Sequence, residues 1–153
     1  MEAWYFAYGS NLLGSQLVAR TGSAAGGAGQ LPRLVRLADY RLVFQHPKLE
    51  RPAYANIVPG GDGVLGVVYR FTSADFQSLD RYETGYERRM IIVQAADGED
   101  LPAETYIMHV DDGAKFGRPD AAYLQRILDG AKQHGLSDDY LASIVTIAAG
   151  RRD

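Results

Sequence analysis

The sequence predicts an α+β fold with a mixed, curved or barrel-like β-sheet and flanking helices. A strand and a helix open the chain, and strand patterns then dominate its middle, with one short helical pattern among them. Two further helical patterns follow the last strand. A doubly wound fold would instead alternate strands and helices along its length. This order of elements therefore favours a sheet that curves around a core.

The composition is typical of a soluble globular protein, and we expect one domain over residues 1–153. The net charge of −3 and the pI near 5.6 give no reason to expect a nucleic-acid partner. The absence of cysteine excludes disulfides, thiolate nucleophiles and cysteine-ligated metals. No secretory signal pattern is visible, and no apolar run approaches the ~20 residues that span a bilayer. We expect a cytoplasmic protein with no membrane partner; a homodimer is one option for its oligomeric state.

Residues 5–12 change in chemical character midway. The first half is aromatic and typical of a buried strand, and Gly9 permits a tight turn. Ser10 and Asn11 are good helix N-caps, so we expect a helix to begin near Asn11. Such a helix start leaves backbone N–H groups without partners and favours a bound anion. The alternative is an ordinary capped turn that binds nothing.

The middle of the chain contains five predicted strands. Alternating or continuous apolar residues, bounded by turn residues, identify them. Gly66 lies inside the third strand, where a glycine indicates a bulge or a close approach of another backbone. The five strands are expected over residues 34–45, 54–58, 64–71, 86–95 and 103–110.

Three helices are expected besides the first. An N-cap pattern at residues 72–75 predicts a short helix to about Tyr82. Proline at the start and glycine at the end predict a helix over 119–135, and a serine cap predicts a last one over 137–150. The glycine-rich stretch 21–29 lacks the Lys-Ser/Thr ending of a phosphate loop, which predicts a flexible connection.

Glu83 is the best candidate for a catalytic side chain. If the short helix continues far enough, Glu83 falls between Phe76 and Leu79 on the face that should enter the core. Burial would raise its pKa and make the carboxylate a usable proton acceptor near neutral pH. The alternative is that the helix ends earlier and leaves Glu83 as a solvated charge. Asp80, at the edge of the same face, is the competing carboxylate.

No metal or cofactor site is predicted. His46, His109 and His134 are isolated in the sequence, and none has a second ligand four residues away. No serine has the surroundings of a hydrolase nucleophile. The chain therefore offers acid–base chemistry rather than metal or covalent catalysis.

Three stretches of the chain form a recognisable set. They are residues 6–12 (Phe-Ala-Tyr-Gly-Ser-Asn-Leu), residues 64–69 with 79–83 (Val-Leu-Gly-Val-Val-Tyr and Leu-Asp-Arg-Tyr-Glu), and residues 123–140, with Tyr123, Gly-Ala-Lys at 130–132 and Tyr140. In this order and spacing they resemble the opening motif, the central strand and catalytic helix, and the C-terminal helices of the γ-glutamylcyclotransferase-like family. The resemblance covers nearly the whole chain.

This resemblance implies a mixed barrel and a reaction in which a γ-glutamyl amine or amino acid cyclises to 5-oxoproline and releases the amine. By position it implies that Glu83 is the proton acceptor and that no cofactor is needed. Two alternatives remain at this point: a non-catalytic module that binds γ-glutamyl compounds, and a cyclotransferase for a specialised γ-glutamyl metabolite. The implied substrate-binding residues are Tyr5, Phe6, Ala7, Tyr8, Gly9, Ser10, Asn11, Tyr86 and Tyr123.

Overall fold

The computed structural model describes residues 2–22, 32–46, 52–109 and 116–150. Most of the predicted glycine-rich connection over 21–29 lies outside these ranges. The strands are β1 (Glu2–Ala7), β2 (Arg33–Leu37), β3 (Tyr40–Gln45), β4 (Tyr54–Pro59), β5 (Val64–Thr72), β6 (Tyr86–Ala95) and β7 (Asp100–Met108). The helices are α1 (Gly14–Thr21), α2 (Ser73–Asp80), α3 (Ala121–Gln133) and α4 (Asp138–Ala148), with a 3₁₀ turn at Ser10–Leu12.

Five strands close into a barrel in the order β1-β5-β2-β6-β7. Neighbours are antiparallel except β1 and β7, which run parallel where Tyr5 faces Glu104. The predicted mixed, barrel-like sheet is therefore confirmed. The predicted close approach at Gly66 is also confirmed, because a Cβ atom added there would lie 2.2 Å from the Ala7 carbonyl oxygen.

Strands β3 and β4 form a separate two-stranded sheet. The prediction of one strand over 34–45 was wrong, because the chain turns between β2 and β3. Asp39 adopts a left-handed backbone conformation there, with φ of 63°, which aspartate tolerates better than most residues. The apolar pattern resumes directly after this turn, which contains no glycine or proline, so Asp39 is a weak sign of the break in the sequence.

The first helix begins later than predicted. The chain passes through the 3₁₀ turn before α1 starts at Gly14, and neither segment has a side-chain cap at its N-terminus. The expected capping roles of Ser10 and Asn11 were therefore wrong. The capping box of α2 is confirmed: Thr72 Oγ1 accepts from the Asp75 N–H at 3.2 Å, and Asp75 Oδ2 accepts from the Thr72 N–H at 2.9 Å.

Helix α3 packs directly against the 3₁₀ turn. Gly130 permits this contact, because an added Cβ would lie 2.4 Å from the Leu13 nitrogen and 2.5 Å from the Leu12 carbonyl carbon. Leu12 and Ile127 are fully buried in the same region. The packing fixes the turn after β1 in place, and the same helix presents Tyr123 to the pocket described next.

Candidate active site

One cavity brings most of the predicted site residues together. It has a volume of about 390 Å³ and lies where the 3₁₀ turn meets β4, α3 and the turn after α2. Its walls are rich in tyrosine, with one glutamate and two arginines. The lining residues are Tyr5, Tyr8, Gly9, Ser10, Asn11, Arg20, Tyr54, Ala55, Tyr82, Glu83, Thr84, Tyr86, Tyr106, Tyr123 and Arg126.

Glu83 lines this cavity from the turn that follows α2. The helix ends at Asp80, so the predicted helical position between Phe76 and Leu79 was wrong. The alternative of a solvated charge was also wrong, because Glu83 is partly buried and lines the cavity. Tertiary packing of the turn, rather than the face of a helix, places this carboxylate in the cavity.

Backbone hydrogen bonds between residues close in sequence stabilise the turn that carries Glu83. The Tyr82 N–H donates to the Leu79 carbonyl at 2.9 Å, and the Tyr86 N–H donates to the Glu83 carbonyl at 3.0 Å. Gly85 has φ of 88°, a conformation that glycine adopts without strain. The turn thus brings the glutamate inward between a fully buried leucine and the first residue of β6.

Burial raises the pKa of Glu83 from 4.5 to about 7. The positive charge of Arg20 and a hydrogen bond from Asn11 act in the opposite direction, and the negative charge of Asp80 adds to the rise. Glu83 can therefore both accept and release a proton near neutral pH, as a general acid–base catalyst must.

Asp80, the competing carboxylate, does not line the cavity. Its Oδ1 atom accepts a hydrogen bond from the Tyr106 hydroxyl at 2.6 Å, and its Oδ2 lies 3.9 Å from an Arg88 nitrogen. These contacts hold the Asp80 side chain away from the cavity that contains Glu83. The geometry therefore favours Glu83 over Asp80 as the candidate catalytic carboxylate.

The side chain of Asn11 contacts the candidate catalytic group directly. Its Nδ2 donates to Glu83 Oε1 at 3.1 Å and to the Tyr5 hydroxyl at 3.0 Å. Its Oδ1 accepts from Gln16 Nε2 at 3.2 Å and from Arg20 Nη1 at 3.1 Å. Asn11 is thus part of a polar network in the wall of the cavity.

Two predicted site tyrosines are fixed by the backbone of Ala55 in β4. The Tyr86 hydroxyl donates to the Ala55 carbonyl at 2.6 Å, and the Ala55 N–H donates to the Tyr123 hydroxyl at 3.0 Å. Burial raises the pKa of Tyr123 to about 12 and that of Tyr86 well above 10. Both side chains therefore stay neutral at physiological pH.

The end of β1 supplies the floor of the cavity. Tyr5 and Tyr8 line it, and burial raises the pKa of both hydroxyls well above 10. Phe6 and Ala7, which the resemblance also implied, are buried in the core and do not line it.

The backbone at the start of the 3₁₀ turn is the predicted anion site. The carbonyl groups of Gly9 and Ser10 accept hydrogen bonds from the N–H groups of Leu12 and Leu13. Within the described parts of the chain, no residue accepts a hydrogen bond from the N–H groups of Gly9 and Ser10. A Cβ at Gly9 would lie 3.2 Å from the Ala55 Cβ, so the turn lies close to β4.

Several lining residues were not predicted from the sequence. Arg126 follows the predicted site residue Tyr123 by three residues, so helical spacing could have indicated it, whereas Arg20 has no predicted site residue at such a spacing. The sequence predicted β4 as a strand but did not predict that it pairs with β3 outside the barrel. That pairing places β4 at the cavity. The unpredicted residues are Arg20, Tyr54, Ala55, Tyr82, Thr84, Tyr106 and Arg126.

The described residues contain neither a metal-binding cluster nor a helix suited to crossing a membrane. Over residues 2–22, 32–46, 52–109 and 116–150, no cluster of three or more histidines and carboxylates could hold a metal ion. No helix in these same ranges is long and apolar enough to cross a membrane.

The chain is similar to known proteins over most of its length. The sequence profile described as "Gamma-glutamyl cyclotransferase, AIG2-like" matches residues 5–125. Proteins named gamma-glutamylcyclotransferase from Mus musculus and Homo sapiens are each 29% identical, and that from Bos taurus is 30% identical. Each match covers 94% of this chain and 77% of the relative.

Solved structures agree with these sequence matches. A structure named gamma-glutamyl cyclotransferase superposes with a TM-score of 0.83 at 28% identity, covering 96% of this chain and 88% of its own. A human protein described as uncharacterized gives a TM-score of 0.82 at 29% identity, covering 95% and 88%. The chain belongs to the gamma-glutamyl cyclotransferase, AIG2-like family.

Proposed function

We propose that this protein is a γ-glutamyl cyclotransferase that converts a γ-glutamyl amino acid or amine to 5-oxoproline and a free amine, with Glu83 as the general acid–base group. One observation supports this most directly: the carboxylate of Glu83, with a pKa of about 7, lines the same cavity as Gly9 and Ser10, whose N–H groups have no acceptor among the described residues. The family and the names of its relatives point to the same reaction.

The first step is deprotonation of the substrate. Its α-amine is protonated in water and is not a nucleophile until a base removes a proton. Glu83 Oε1 accepts a hydrogen bond from Asn11, and no described residue binds Oε2. In the proposed mechanism, Oε2 therefore takes a proton from the α-ammonium group.

The freed amine then attacks the γ-carbonyl carbon of the same molecule. Because nucleophile and electrophile are tethered, holding them in one geometry can accelerate the reaction without the covalent enzyme intermediate that a serine or cysteine hydrolase forms. A new carbon–nitrogen bond closes the five-membered ring, and the original amide bond breaks. The protonated Glu83 gives its proton to the departing nitrogen as the amide bond breaks. The restored carboxylate then takes the second proton of the ring nitrogen and passes it to the released amine, which leaves as an ammonium ion.

The turn after β1 is the proposed anchor for the substrate. The N–H groups of Gly9 and Ser10, which have no acceptor among the residues that the structure describes, can donate to the α-carboxylate or to the developing oxyanion. The neutral hydroxyl groups of Tyr5 and Tyr8 line the same part of the cavity. Anchoring the α-carboxylate there would hold the α-amine within reach of Glu83.

The experiment is a screen of γ-glutamyl amino acids, γ-glutamyl amines and glutathione, with products identified by mass spectrometry. We expect 5-oxoproline, which is one water lighter than glutamate, to appear together with the free amine. A matched substrate with an acetylated α-amine keeps the scissile amide but lacks the nucleophile, and should not react. Glutamate as the first product would contradict cyclisation, and binding without any product would favour the non-catalytic alternative.

A further inference from the structure

We infer that Arg20 is a positioning residue for Glu83 and acts through the side chain of Asn11. This inference rests on the proposed function only in giving Glu83 a catalytic role. The contacts that support it lie in the wall of the cavity and involve residues of α1 and the 3₁₀ turn.

All hydrogen-bonding positions of the Asn11 side chain are occupied by protein groups. An asparagine amide offers two donor hydrogens and two acceptor lone pairs. The donors are used by Tyr5 and Glu83, and the acceptors by Gln16 and Arg20. The side chain therefore has no free position for a substrate, and its predicted substrate contact is reassigned to the orientation of Glu83.

Arg20 determines which way the Asn11 amide faces. A guanidinium group has only donors, so the atom of Asn11 that lies 3.1 Å from Arg20 Nη1 must be the acceptor oxygen. The amide nitrogen then necessarily faces Glu83, and one carboxylate oxygen is held by a donated hydrogen bond. Gln16 supports this orientation, because its Nε2 also donates to Ser10 Oγ at 2.7 Å.

Arg20 is itself held in place by its surroundings. Its guanidinium carbon lies 5.2 Å from the ring centroid of Tyr82, which precedes Glu83 in the turn after α2. Arg20 thus contacts Asn11 on one side and the segment that carries the glutamate on the other. A single side chain of α1 therefore links both segments that fix the carboxylate.

The charged and titratable groups around Glu83 define what Arg20 contributes. They are Arg20 from α1, Asp80 from α2, Tyr5 from β1, Tyr8 directly after β1, Tyr86 from β6, and Tyr123 from α3. The four tyrosines are neutral, and Asp80 has the same charge sign as Glu83. Arg20 is thus the cation in this set, and its removal should make Glu83 harder to ionise.

The test compares Arg20→Met and Arg20→Lys with the control Arg126→Met. Arg126 also lines the cavity and has the same charge, but it contacts the Tyr123 ring rather than Asn11. The first readout is the titration midpoint of the Glu83 carboxyl carbon by NMR on ¹³C-glutamate-labelled protein, assigned by the loss of its signal in Glu83→Gln. We expect a higher midpoint in Arg20→Met, a smaller change in Arg20→Lys, and no change in Arg126→Met.

The second readout is kinetic and separates positioning from substrate binding. At a pH above the Glu83 midpoint, we expect Arg20→Met to lower kcat by about tenfold to a hundredfold, the cost of a small misplacement of a catalytic group. An unchanged midpoint and kcat with a raised KM would make Arg20 a substrate-binding residue and overturn the inference. An equal midpoint shift in Arg126→Met would overturn it too, because the effect would then be one of overall charge.

Two features keep this test decisive. The NMR midpoint requires no turnover, so an absence of 5-oxoproline formation by the wild type would refute the proposed function without deciding the question about Arg20. If circular dichroism shows that Arg20→Met does not fold, the test uses Arg20→Lys, which keeps the positive charge but lacks the planar guanidinium group. A wild-type midpoint and kcat in Arg20→Lys would then show that orientation by the guanidinium is unnecessary.

Discussion

The pKa of Glu83 predicts a steep acidic limb in the pH–rate profile. With a pKa of about 7 in place of 4.5, the ionised fraction of the group is about 1% at pH 5 and about 9% at pH 6. Only the ionised form can accept the substrate's proton, so kcat/KM should rise about tenfold over this one pH unit. A solvent-exposed glutamate would change its ionised fraction by only about 1.3-fold over the same interval.

The assay measures initial rates of 5-oxoproline release at substrate concentrations far below KM, where kcat/KM reports the free enzyme. Circular dichroism at both pH values controls for unfolding. Asp80→Asn is the matched variant, because it removes one nearby negative charge that raises the pKa of Glu83 and should shift the limb to lower pH. A profile that is flat between pH 5 and 6 would refute the assignment of a raised pKa to the catalytic base.

Three further predictions concern stability and substrate recognition. The folded state binds a proton at Glu83 more tightly than the unfolded state, so wild-type stability should fall as pH rises from 4.5 to about 7. Glu83→Gln avoids this loss. The free energy of unfolding of Glu83→Gln minus that of the wild type, measured in urea, should therefore increase by up to about 3 kcal/mol from pH 4 to pH 8. If this difference is the same at both pH values, the carboxylate does not have a raised pKa in the folded protein. Amidation of the substrate's α-carboxylate should weaken binding to Glu83→Gln by about 1.5–3 kcal/mol in calorimetry, and equal affinity would refute the anion site at Gly9 and Ser10. Gly130→Ala should destabilise the protein by about 1–3 kcal/mol in urea, since its Cβ would overlap the backbone at Leu12; an unchanged midpoint would refute the close packing of α3.

The sequence predicted the elements whose patterns are local. Strand β6 agrees with the predicted range of 86–95, and the capping box of α2 is where Thr72 and Asp75 indicated it. Gly66 indicated a close backbone contact, which the barrel closure explains. For β6 and the capping box, a few neighbouring residues contain the physical reason for the structure, whereas Gly66 marks a contact that a distant strand makes.

The parts that were not predicted depend on contacts between distant segments. Glu83 was expected on a helix face, yet it is buried by a turn that packs against Asn11, 72 residues away. Asn11 was expected to cap a helix, but its amide makes tertiary contacts instead. Ala55 binds two tyrosines through its backbone, which its side chain could not reveal. The residue types indicated acid–base chemistry at this site, but which residues contact one another depends on the fold.

The most direct test of the central claim is 5-oxoproline release by Glu83→Gln measured beside Asp80→Asn. Glutamine keeps the shape of the side chain and can still occupy the cavity, but it cannot accept the proton of the α-ammonium group. We expect Glu83→Gln to retain its fold and its binding of the substrate while turnover is abolished, and Asp80→Asn to remain active. Turnover by Glu83→Gln above a few per cent of the wild-type rate, together with an inactive Asp80→Asn, would contradict Glu83 as the catalytic base.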